Sequence, residues 1–110
     1  MKIDIKLTNY QLSFLNATIA DNLSLEVNDK LKEVKSFIYL MNDVSGKLLK
    51  KAIEKRQDSK TFKISLKYYE AYALHQFLYI YIDYETSDFE TTERRRVTRE
   101  ILGILNQKLA

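Results

Sequence analysis

A predominantly helical α+β fold is predicted by two observations in this 110-residue chain. Short period-2 alternations run straight into segments whose apolar residues recur at helical spacing, and this happens twice. The two occurrences also align. Ile3–Leu15 matches Phe62–Leu74 at an offset of 59, and out to Ile19 and Leu78 eight of nine apolar residues in the first copy meet an apolar residue in the second. Four identities in seventeen pairs say little about ancestry; the shared apolar pattern says more about shared structure. The expectation is a duplicated β-α-α unit within a single domain spanning 1–110. It comprises two short strands and four helices, related by an internal pseudo-twofold axis, with repeat one over about 1–57 and repeat two over about 60–110.

The elements follow in order. Residues 2–7 alternate Lys2, Asp4 and Lys6 with Ile3, Ile5 and Leu7, the pattern of a half-buried strand. Thr8 stands three residues before Gln11, the spacing of a capping box, and opens a helix over 9–23 with Leu12, Leu15, Ile19 and Leu23 on its inner face. Asn28 caps a second helix, with Asp29 in the first turn where the helix dipole favours an anion. Its seam is Leu31, Val34, Ile38, Met41, Leu48 and Ala52. A straight helix over 29–56 would be about 42 Å long at 1.5 Å per residue. The sequence therefore predicts a bend near Asn42-Asp43 or Ser45-Gly46, because glycine weakens a helix interior.

Gln57-Asp58-Ser59 reads as a turn and residues 61–66 as the second strand. A helix over 67–83 follows. Phe77–Ile82 is a run of β-formers that competes with this reading, but the uninterrupted Glu70–Leu74 start and the repeat both favour one helix. Ser87 and Glu90 repeat the capping-box spacing before a last helix over 88–108, which carries Phe89, Val97, Ile101, Ile104 and Leu105.

Composition bounds the function classes. At 45% hydrophobic, with both charge signs well represented, the chain suits a packed core and not a disordered polymer. No run approaches the ~20 apolar residues of a membrane span, and the alternating start lacks a signal peptide's continuous apolar stretch. A cytoplasmic location is the expectation. With no cysteine there is no disulfide or thiolate chemistry.

The chemistry of an enzyme is hard to find. There is a single histidine, His75, set among Leu74, Phe77 and Leu78 and read as a structural residue. Glycine-rich phosphate cradles need more than Gly46 and Gly103. Asp83, Glu85, Asp88 and Glu90 cluster without the ligand rhythm of a calcium loop and read as solvated. The expectation is a non-catalytic protein with no cofactor and no metal.

Two features bear on partners. Tyrosine is dense between Tyr68 and Tyr84, pointing in more directions than one core can cover. Tyr72, Tyr79, Tyr81 and Tyr84 are the candidate protein-interface residues, since tyrosine is enriched at interfaces. The second feature is basic. Eight Lys and Arg residues between Lys47 and Lys67 face only Glu54 and Asp58, and Arg94-Arg95-Arg96 with Arg99 opens the last helix. Arg94, Arg95, Arg96, Arg99, Lys50 and Lys51 are the candidate nucleic-acid contacts, although acids directly upstream offer the arginines local partners. The first reading is therefore a small intracellular interaction or regulatory module that forms a homodimer or binds another protein. The alternative is a nucleic-acid-binding accessory protein.

Overall fold

The computed structural model describes residues 2–22, 32–56, 60–81 and 89–110. Their element order is β1 (Lys2–Leu7), α1 (Asn9–Asn22), α2 (Lys32–Glu54), β2 (Phe62–Lys67), α3 (Tyr68–Tyr81) and α4 (Phe89–Leu109). This is a small, mostly helical α+β fold built on a two-stranded antiparallel sheet. No helix among the described residues is long and apolar enough to cross a membrane. The expected caps at Asn28 and at Ser87-Asp88, the turn at 57–59 and the acids Asp83, Glu85 and Asp88 lie outside the described residues.

The two strands pair antiparallel with each other. Lys2 lies opposite Lys67, Asp4 opposite Ser65, Lys6 opposite Lys63 and Leu7 opposite Phe62. Burial alternates strictly along both, so Ile3, Ile5, Leu7, Phe62, Ile64 and Leu66 all face inward and are at most 7% exposed. A two-stranded ribbon is marginal alone in water and needs such a covered face. The helices supply it through Leu12, Leu15, Leu48, Leu74, Phe77 and Ile101.

Each strand turns into a helix at a residue whose N–H is capped by the side chain three positions on. At α1, Thr8 N–H donates to Gln11 Oε1 at 2.9 Å and Gln11 N–H donates to Thr8 Oγ1 at 3.1 Å, the capping box expected from the spacing. At α3, Lys67 N–H donates to Glu70 Oε1 at 2.8 Å. There the side chain of the third helical residue closes on the last strand residue with no connecting segment. α3 is helical through Tyr81, so Phe77–Tyr81 are not a strand. Tertiary burial of Phe77 and Leu78 overrides their β preference.

α2 runs without interruption through Asn42-Asp43 and Ser45-Gly46. Its 23 residues span about 34 Å at 1.5 Å per residue, which the molecule's 42 Å longest dimension accommodates. α1 and α3 depart from opposite ends of the ribbon, and the ends of α2 and α4 come back against them. Asn9 Nδ2, at the start of α1, donates to the carbonyl of Lys55 just beyond α2. His75 Nε2, midway along α3, lies 2.5 Å from Asn106 Oδ1 near the end of α4.

Glu70 ties cap to core. It is only 4% exposed, and Lys47 Nζ donates to the same Oε1 at 2.7 Å. Burial alone pushes this carboxyl up, but the Lys47 ammonium and the Lys67 amide outweigh it and hold the pKa below the ordinary 4.5. A lowered folded-state pKa contributes stability that is present above about pH 4.5 and lost as pH falls through the folded value. Glu70→Gln is therefore expected to destabilise the protein by about 1–3 kcal/mol at neutral pH. The difference should shrink below pH 4.5 in denaturant melts; a difference that persists unchanged in acid would place its origin elsewhere.

Candidate functional site

The inward face of the ribbon is spent on the core; the outward face is not. Lys2, Asp4 and Lys6 from β1 and Lys63, Ser65 and Lys67 from β2 all point to solvent. Four are lysines, and the register sets them against each other, Lys2 opposite Lys67 and Lys6 opposite Lys63. Like charges directly across a ladder destabilise it, whereas solvated sheet faces gain from opposite pairs. The lone acid is already engaged: Ser65 Oγ donates to Asp4 Oδ1 at 2.6 Å and Lys63 Nζ lies 3.9 Å from Asp4 Oδ2. The Ser65 hydrogen bond and nearby lysines hold Asp4 below the usual carboxylate range, so it stays ionised.

Beside this face, α2 and β2 enclose an open recess of about 300 Å³ lined by Lys47, Lys50, Lys51, Glu54, Lys63 and Ser65. Lys51 pairs with Glu54 at 3.8 Å and Lys47 with Glu70 at 2.7 Å. Lys50 is exposed on the rim. The sequence-predicted Lys50 and Lys51 thus border the ribbon's lysines, and the groove they share is electropositive.

The arginines are placed differently. Arg94 Nη1 donates to Asp21 Oδ2 at 2.7 Å, tying α4 to the end of α1. Arg96 is held between Glu93 and Glu100 on its own helix. Arg96 and the Tyr10 hydroxyl, which donates to Glu93 at 2.7 Å, bring Glu93 down to about 2. Arg95 is half-buried and Arg99 exposed. The recess that holds Lys50 and Lys51 includes none of these arginines.

The tyrosines divide as well. Tyr72, 52% exposed, lines an apolar cleft of about 380 Å³ between α2 and α3 with Phe37, Leu40, Tyr69, Ala73 and Ile80. Tyr79 is 66% exposed and stacks parallel on His75, ring centroids 6.4 Å apart. Tyr81 ends α3, its side chain outside the described residues, as is all of Tyr84. Among the described residues no cluster of three or more histidines or acids could hold a metal ion.

Lys2 and Lys6 are functional candidates that the sequence did not single out, whereas Lys63 and Lys67 close its basic stretch of 47–67. Their signal was the alternation Lys2-Asp4-Lys6 and Lys63-Ser65-Lys67, which fixes the face but not who sits opposite whom. No protein-family model, curated protein or solved structure matches this chain.

Proposed function

We propose that this protein is a small non-catalytic intracellular module that binds nucleic acid through the outward face of its ribbon. The observation that carries this reading is the pairing of lysine against lysine at both ends of that face, with one acid, already engaged, between them. Such an arrangement costs stability in the free protein and is relieved by a polyanion lying across it. The lysines of α2 extend the same potential along one flank. Arg94 and Arg96 do not belong to the contact set, because their charge is spent on Asp21, Glu93 and Glu100. Retention of the full chain on immobilised duplex DNA, eluting steeply as salt rises, is the expected result. Elution at low ionic strength would remove the reading.

A duplicated origin of the two β-α-α halves belongs to the same proposal. Leu15 and Leu74 are both buried, as are Ile19 and Leu78, and Gln11 and Glu70 make the same capping contact, each pair 59 apart.

Self-association through the α2–α3 cleft is the second reading, favoured by the exposure of Tyr69, Tyr72 and Ile80 around it. A second copy seated there should bury about 1,600 Å² in total. Light scattering decides it: a dimer dissociated by Tyr72→Glu supports this reading, and a monomer at micromolar concentration ends it.

A further inference from the structure

Resting on the nucleic-acid reading above, we infer that the outward face of the ribbon seats in the major groove of duplex DNA, with the α2 lysines beside it on the backbone phosphates. The shape of the face carries this. Paired strands stand about 4.8 Å apart and six residues extend about 20 Å, and a groove about 12 Å wide admits a two-stranded ribbon with its side chains. The chemistry of the face narrows the choice further. None of the six outward residues is aromatic, whereas recognition of single strands rests on stacking bases against aromatic rings. Duplex RNA offers a major groove too deep and narrow for side chains to read. Lysine ammoniums on such a face reach both the guanine O6 and N7 acceptors displayed in the DNA major groove and the phosphates that border it. Lys2 and Lys6, with Lys67 and Lys63 opposite them, place such donors at both ends of the ribbon. The position of Lys50 and Lys51 completes the geometry. They rise along the flank of β2 in the recess that Lys63 and Ser65 share, where a phosphate strand bordering the groove would run.

Fluorescence anisotropy of the full-length chain tests this with four probes of one sequence. They are a DNA duplex, the same duplex carrying glucosylated 5-hydroxymethylcytosine that fills the major groove, an RNA duplex, and the single DNA strand. The expected result is that the plain DNA duplex binds about tenfold or more tightly than each of the other three. In Lys6→Ala/Lys63→Ala, checked for an unchanged circular dichroism spectrum and melting curve, the plain and glucosylated affinities should converge. Equal wild-type affinity for the plain and glucosylated duplexes, or a preference for RNA or single-stranded DNA, overturns groove seating and leaves nucleic-acid binding standing. No measurable binding to any probe overturns both.

Discussion

Truncating Leu15 or Leu74 to alanine is expected to cost about 2–5 kcal/mol at either site. Both side chains have no exposed surface and belong to one core cluster, Leu15 from α1 and Leu74 from α3. Each deletion removes a buried isobutyl group and leaves a void that the neighbours fill only in part. The same cluster holds the sheet's inward residues and Val97, Ile101 and Leu105 of α4. A domain with a typical stability of about 5–15 kcal/mol loses a large fraction of it in either variant. Urea melts provide the test. Losses of similar size at the two positions support equivalent roles for α1 and α3. Less than ~1 kcal/mol at both would mean that these helix faces do not carry the core.

The largest functional effect is expected from Lys6→Glu, and its two consequences should point in opposite directions. Lys6 stands directly across from Lys63. Reversing its charge converts a repulsive cross-strand pair into an attractive one, which should leave the fold as stable or raise its stability by about 0.2–1 kcal/mol. The same change sets an acid against the phosphates. Like-charge juxtaposition at a binding surface costs several kcal/mol, so duplex affinity should fall by about 100-fold. A residue that merely solvates the sheet would show the stability effect without the loss of affinity. A variant that binds as well as the wild type would argue against the ribbon face; one that fails to fold would argue against the register.

Much of this architecture is legible in the sequence because its signals are local. Alternation at Lys2–Leu7 and Phe62–Leu66 assigns strands and their inward residues, and Thr8 with Gln11 assigns the start of α1. The antiparallel pairing follows from reading the two segments as copies about a twofold axis. The candidate site is less legible because it depends on which distant residues meet. Charge runs along the chain drew notice to Arg94–Arg96, yet Glu93 and Glu100 are local partners for Arg96, and Asp21, 73 positions from Arg94, is visible only once α1 and α4 pack. Lys2 and Lys6 lie outside any basic run, and Lys63 and Lys67 are only the end of one. They gather only when the ladder sets 2 against 67 and 6 against 63. Glu70 was similarly hidden. Its spacing from Lys67 fits a capping box, but lysine is not the usual first partner, and Lys47 arrives from another helix.

The salt dependence of duplex DNA binding tests the central claim most directly. Neutralising a phosphate with a lysine releases condensed counterions, so log K falls linearly with log salt, with a slope of about −0.9 per contact. Wild-type protein should show such a line, and alanine at Lys2, Lys6, Lys63 or Lys67 should each flatten it by up to about one contact. Alanine at Arg94 or Arg96, already paired within the fold, should leave it unchanged. A slope that responds to the arginines and ignores the ribbon lysines, or binding that does not vary with salt, would contradict the account.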